Sequence, residues 1–489
     1  MTIVIGLALS GGGYRASLYH LGVMARLADE GLLKEVHALS TVSGGSIVGA
    51  FYYKMLCEEL QRDRLLTDQD YRNLMQRVIG AFLPVVQEDL RDHVVLSGAI
   101  SRMFPKPVCQ LLWPITRRFP KLAPYLNPAT KFDSKLAYEM NTLIFESVVL
   151  RDLMAPPVHP ANKKPELIMN TSILENGQPL FISTDRRSPL WQLNEQNHSI
   201  RVDEAMNLAL STAAAASACV PGLFDPIRIP FGDRVVHGVD GGVLDNLGGH
   251  AIQLLEQDGM QVLLSDASKP LRMENYPEVG SAESFFRIQD LFMNAIRDLR
   301  IGGTDDIVID MCNDIPGIDP AVRTLAMNMR TDLNAFSEVE AYTLMYVGYH
   351  ACGEQIGKLK GPSISEQAAK RISGEQWPFM AVREYAEMPS QQYLRLLGQK
   401  EPKRHWLPEL TMPLIRRYGY SLFYLTILAF ISVRHGLYDA IWYVVLFPII
   451  AATLGGTLLL KRQIAKGKRK GTMASLAKKN SSRHTAASV

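Results

Sequence analysis

Three glycine-rich turns, each placed directly after an apolar run, constrain this chain more than any other feature. Ile3 to Leu9 has the length of a buried strand, and Ser10-Gly11-Gly12-Gly13 breaks it. From Tyr14 to Glu30 the apolar spacing turns helical, with Leu18, Leu21 and Leu27 on one face and Gly31 placed as a stop. Val36 to Val42 reads as a second strand. Ser43-Gly44-Gly45 turns it sharply, and Ser46 opens another helix. Val235 to Val239 is a further strand, followed by Asp240-Gly241-Gly242. Strand, glycine turn and helix in alternation predict an α/β fold with a mainly parallel sheet. Ligands bind such sheets beyond the carboxyl ends of the strands, so all three turns are expected to line one crevice.

The remainder is less regular. Residues 60–165 read as a mainly helical insertion with proline breaks, a lid or specificity wall. Within it, Phe104 to Tyr125 is rich in proline, aromatic and basic residues. It reads either as a membrane-dipping lid or as an insertion packed on the core. Strands are expected at Glu166 to Thr171 and Leu180 to Ser183, joined by the turn signal Glu175-Asn176-Gly177. Ala205 to Ala218 is an alanine-rich helix ended by Val220-Pro221, and Leu247 to Gln257 is a helix before a strand at Val262 to Ser265. Helices are expected over 281–300 and 333–359.

Each turn has its own chemistry. The loop Gly11-Gly12-Gly13-Tyr14-Arg15-Ala16 lets the backbone approach a ligand and point N–H groups at an oxyanion or phosphate, beside a helix N-terminus. It also matches the Gly-x-Gly-x-x-Ala form of a dinucleotide fingerprint. That alternative asks for an acidic residue at the end of the second strand, where the chain has Ser40 and Ser43. Thr41-Val42-Ser43-Gly44-Gly45 is a nucleophile-elbow pattern with Thr41 in the first glycine position. Asp240 stands at a strand end; an isolated Asp-Gly is more often just a turn. Together the parts make a catalytic set. A serine nucleophile needs a base and donors for the tetrahedral oxyanion. Ser43, Asp240 and the Gly11–Gly13 loop match these needs. A carboxylate works better as base when desolvation raises its pKa. His250, only ten residues past Asp240 and inside an expected helix, reads as structural.

On these residues the sequence resembles the patatin-like phospholipase family, of the bacterial type with a C-terminal membrane hairpin. The Gly-Gly-Gly-x-Arg loop at 11–15, the elbow at 41–45 and Asp-Gly-Gly at 240–242 occur in the family's order. Ala214 to Pro221 and Arg330-Thr331-Asp332-Leu333 add support, and the resemblance covers roughly residues 1–360. It implies a three-layer α/β/α sandwich and lipid acyl hydrolysis without cofactor or metal. Ser43 and Asp240 would form a dyad lacking a catalytic histidine. Gly11, Gly12 and Gly13 would form the oxyanion hole, with Arg15 beside it. A non-enzymatic scaffold on the same fold is the other reading.

Charge shows where the chain works. Of 489 residues 47% are hydrophobic and 21% charged, which excludes a disordered chain. The formal charge of +3 conceals an asymmetry: residues 461–489 hold nine Lys or Arg and no Asp or Glu, leaving −6 on the rest. Tyr418 to Val433 is uncharged over 16 residues, about 24 Å as a helix, and Ala440 to Leu460 over 21 residues, about 31 Å, enough to span a bilayer core. Basic residues flank the pair, so a transmembrane helical hairpin with both termini cytoplasmic is expected. The organisation expected is a 1–400 acyl hydrolase domain, a 401–462 hairpin and a 463–489 basic tail. The N-terminus has no basic n-region, so no signal peptide is expected. The odd cysteine count of five, without Cys-x-x-Cys, fits a reducing compartment. The expected partners are a lipid bilayer and a lipid ester, with no nucleic acid, since no aromatics are interleaved with the basic tail.

Overall fold

The apolar run at the start of the chain forms β1 (Val4–Leu9), and Gly12 leads into α1 (Gly13–Asp29). Then follow β2 (Val36–Thr41), α2 (Gly44–Leu60) and α3 (Asp68–Val86). After these come β3 (Glu166–Ile173), β4 (Pro179–Ser183), α4 (Leu210–Ser217), β5 (Ile227–Phe231) and β6 (Arg234–Asp240). The last large elements are β7 (Met260–Asp266), α5 (Ala282–Ile301), β8 (Ile307–Asp310) and α6 (Glu338–Ile356). This computed structural model describes residues 3–91, 94, 135–255, 259–268, 282–301, 306–359, 377–398 and 473. Residues 1–394 form one compact unit, and 395–489 a second of which only 395–398 and 473 are described.

All eight strands belong to one sheet. β2, β1, β7 and β8 are parallel neighbours, and β3 joins β2 in parallel. The expectation of a mainly parallel sheet needs correcting at one end: β4 and β6 both run antiparallel to β3, and β5 antiparallel to β6. The sheet is therefore mixed. The reason is connectivity, since β3–β4 and β5–β6 are hairpins and hairpins reverse the chain.

Helices cover both faces, which gives three layers. On one face Ala8, Ala38, Ile168 and Leu264 pack against Leu190, Ala251 and Ile252 from short helices at Leu190–His198 and Gly249–Gln253, and against Leu247 just before the second. On the other, Leu7 and Leu9 are fully buried beneath α1 and α2, and α6 crosses α1. That crossing is close. A Cβ on Gly22 would lie 1.9 Å from the Met345 carbonyl oxygen, and one on Gly348 2.1 Å from that of Tyr19. Burial on both faces explains why β1 reads as a continuous apolar run rather than an alternating one.

Among the described residues no helix is long and apolar enough to cross a membrane. The runs expected to form the hairpin, 418–433 and 440–460, lie outside the described residues, so the hairpin finds no support there. Most of the basic tail and all of Phe104 to Tyr125 also lie outside them. Of the 60–165 insertion, α3 and short helical segments at Lys135–Met140 and Leu150–Leu153 are described.

Candidate active site

Sheet topology brings the second and third turns together. β4 occupies one edge of β3 from Ile168 to Ser172. The partners Thr41↔Met169 and Asp240↔Thr171 must therefore lie on the opposite edge, end to end. β2 runs parallel to β3 and β6 antiparallel, so their carboxyl ends meet with only the place of Asn170 between them. Asn170 bridges that gap, its Nδ2 donating to the Thr41 carbonyl (2.8 Å) and to Ser40 Oγ (2.9 Å).

Ser43 sits at the junction with φ 51° and ψ −119°. A non-glycine residue held there stores on the order of 1–3 kcal/mol of strain, and such strain clusters at functional sites. The surroundings hold it in place. The Val42 N–H donates to the Leu9 carbonyl (3.0 Å) and the Ser43 N–H to the Ser217 carbonyl (3.1 Å). A Cβ on Gly44 would lie 2.0 Å from the Gly13 carbonyl oxygen, and one on Gly45 2.3 Å from that of Leu9. Only glycine fits after the serine. Thr41 is tolerated in the elbow because Gly49 of α2 leaves space for its methyl: a Cβ on Gly49 would come within 2.6 Å of Thr41 Cγ2.

The Ser43 hydroxyl donates to the Asp240 carboxylate, and the Gly242 N–H donates to Asp240 Oδ1 (2.7 Å). Burial raises the Asp240 pKa to about 6, against the lowering effect of those two hydrogen bonds. The carboxylate is thus a stronger base than a solvated aspartate, yet still mostly ionised at neutral pH. Gly241 packs against Asn170, where a Cβ would lie 2.3 Å from the carbonyl oxygen.

Gly11, Gly12 and Gly13 line the same cavity as Ser43 and Asp240, about 310 Å³ in volume. The first turn differs from expectation in its donors. The Gly11 N–H is taken by the Asn246 carbonyl (3.0 Å). The Gly12 and Gly13 N–H groups have no acceptor among the described residues, and both glycines have positive φ, 137° and 57°. Arg15 also departs from an oxyanion role. It is buried, and its terminal nitrogens donate to the carbonyls of Ala267 (2.6 Å) and Met327 (2.8 Å). Burial pulls its pKa down to about 10, so it stays charged and ties the segment after β7 to the loop before α6. A Cβ on Gly11 would lie 3.1 Å from Ser43 Cβ, so the loop leans on the serine.

Among the described residues no histidine lines the cavity. His20 is buried between Ser265 Oγ (2.7 Å) and the Ser10 carbonyl (2.9 Å), and burial lowers its pKa to about 4. It is a neutral structural group. His250 accepts from Arg300 Nη1 at Nδ1 (3.2 Å), and burial with Arg300 lowers its pKa. Among the described residues no group of three or more His, Cys, Asp or Glu is arranged to hold a metal ion.

Ser217 was not among the residues expected at the site. Its carbonyl accepts from the N–H groups of both Ser43 (3.1 Å) and Gly241 (3.2 Å), and its Oγ accepts from the Ser43 N–H (3.1 Å). One residue at the end of α4 thus ties the two catalytic turns. Its signal is a hydroxyl closing an alanine run. Asn246 and Arg297, also at the cavity, carry no sequence signal that singles them out.

Residues 7–250 match the family model of patatin-like phospholipases. Over these residues the chain therefore carries a patatin-like phospholipase domain. No curated protein matches the sequence significantly. Among solved structures, VipD from Legionella pneumophila is 13% identical with a TM-score of 0.35, the match covering 73% of this chain and 67% of that one. Human GIVD cytosolic phospholipase A2 is 11% identical with a TM-score of 0.42, covering 76% of this chain and 63% of its own. The chain spans about two thirds of the length of each.

Proposed function

We propose that the protein is a membrane-anchored serine hydrolase that cleaves fatty-acyl esters of phospholipids or related lipids through a Ser43–Asp240 dyad. The observation that carries this reading is a strained serine, hydrogen-bonded to a buried carboxylate of raised pKa, in a cavity that no histidine among the described residues lines. Ser43 Oγ attacks the ester carbonyl while Asp240 takes its proton. The tetrahedral oxyanion rests on the Gly12 and Gly13 amides rather than on Gly11 or Arg15. Asp240 returns the proton to the leaving alcohol, and a water molecule, deprotonated in turn by Asp240, releases the fatty acid from the acyl-enzyme. Val220, Leu223, Val243 and Met293 give the cavity an apolar side for an acyl chain.

The uncharged runs at 418–433 and 440–460, with the basic residues that follow, anchor the chain with its catalytic domain and both termini on the cytoplasmic side. Anchoring raises the local concentration of the domain at its substrate. The test is a lipid panel with full-length protein, reading released fatty acid. Ser43→Ala and Asp240→Asn abolish release while His250→Ala retains it. Substantial activity in Asp240→Asn excludes the dyad.

A further inference from the structure

Amphipathic helices of globular proteins turn their apolar stripe inward. α5 does the reverse. At about 100° per residue, Phe285, Ile288, Leu291, Phe292, Ala295 and Leu299 fall within an arc of roughly 120°. All six are exposed, Phe292 by 68% and Leu299 by 79%. The arc contains no charged residue. The opposite face carries the ion pairs and hydrogen bonds that dock the helix. Arg297 Nε donates to Asp266 Oδ2 (2.5 Å) and its Nη2 to Asp310 Oδ2 (2.9 Å), while Arg300 donates to His250. Although burial works against its charge, the two aspartates hold the Arg297 pKa above its usual value. That inner face also lines the catalytic cavity, through Gln289, Met293, Asn294 and Arg297.

An apolar ridge of this extent on a charge-anchored helix marks a contact surface. Two features commit it to one occupant. The ridge belongs to the wall of the cavity, so whatever covers it adjoins the active site. The chain also contains a 21-residue uncharged run followed by nine basic residues, which brings the domain to a membrane.

We propose that the outward face of α5 inserts into the lipid surface, seating the cavity mouth on the bilayer so that an acyl chain passes along the helix to Ser43. This rests on the reading of the protein as a lipid hydrolase. The inserted depth is that of an interfacial helix, about 5–10 Å.

Two experiments on full-length protein test it. In the first, Phe292→Asp and Leu299→Asp are assayed on vesicles of equal phosphatidylcholine and phosphatidylglycerol and on soluble p-nitrophenyl butyrate. Each variant is expected to lose tenfold or more on vesicles while kcat/KM on the soluble ester stays within twofold. Unchanged vesicle activity, or equal loss on both substrates, overturns the proposal. In the second, Phe292→Trp is reconstituted in the same vesicles and its added fluorescence is compared with wild type. Brominated lipid should quench the added indole. Quenching by acrylamide but not by brominated lipid means the ridge stays in water and overturns the proposal. Shielding from both means that another part of the chain or a second copy covers the ridge, and overturns it equally. The fluorescence does not depend on catalysis. If wild type cleaves neither substrate the hydrolase reading fails, and the depth of α5 is still read.

Discussion

The two sides of the sheet bring Ser43 and Asp240 to one point by different means. On the parallel side, β1 and β2 are buried on both faces, and the elbow after β2 is fixed by carbonyl oxygens that leave no room beyond glycine. On the antiparallel side, β5 alternates buried and exposed residues and Val235 of β6 is 40% exposed. There Asp240 is held by hydrogen bonds: its N–H to the Cys219 carbonyl (2.9 Å) and its carbonyl from Ser172 Oγ (3.0 Å). Hydrogen bonds and a tight glycine contact occur on both sides, but close packing is denser around Ser43 and the polar contacts reach the carboxylate and backbone of Asp240 itself. A strained serine needs rigid walls, whereas a base is tuned through its solvation and hydrogen bonds.

The largest effect expected is on catalysis. Ser43→Ala and Asp240→Asn should each lower fatty-acid release by about 10³-fold or more, roughly 4 kcal/mol of transition-state stabilisation. Next is the packed side. Gly44→Ala forces a Cβ against the Gly13 carbonyl, and in denaturant melts it should cost on the order of 3 kcal/mol. If Gly44→Ala melts like wild type, the elbow is not held by packing.

The base side should show the opposite sign. A folded-state pKa of about 6, above the ordinary 3.8, means that the native state holds this proton more tightly than the unfolded chain. Stability from this group is fully present below about pH 4 and is lost as pH rises to about 6. At pH 8 Asp240→Asn should therefore be more stable than wild type, by up to about 3 kcal/mol, while inactive. The same pKa predicts that kcat/KM of wild type falls with an acid limb near pH 6. Ser217→Ala, which keeps the carbonyl and removes the hydroxyl, should lower kcat by about tenfold, roughly 1.4 kcal/mol. Smallest of all, Val235→Ala at the exposed start of β6 should change stability by less than about 0.5 kcal/mol.

Local signals made much of this legible. The early alternation of β1, α1, β2 and α2 is readable because each strand ends in glycine and each helix keeps its period; Gly31, expected as a stop, has φ 68°. The alanine-rich helix begins later than expected, at Leu210, because Val202–Ala205 forms a separate turn. β5 and β8 carry no such signal. β5 contains Pro230, which argues against a strand interior, and β8 is only four residues long. Ser43 and Asp240 stand out by motif, but their meeting does not. It depends on β2 and β6 sharing one edge of β3, a long-range pairing with no trace in residue spacing. The spent amide of Gly11 and the inward guanidinium of Arg15 were equally invisible, since both depend on carbonyls far along the chain.

The central claim is that Ser43 is the nucleophile and Asp240 its base. A fluorophosphonate, which forms a covalent bond with an activated serine, tests it in one measurement: the labelled residue is found by mass spectrometry of peptides, and labelling rates are compared in wild type and Asp240→Asn. The account predicts an adduct on Ser43 alone, formed at least a hundredfold more slowly in Asp240→Asn. An adduct on another serine, or equal rates in the two proteins, would contradict it.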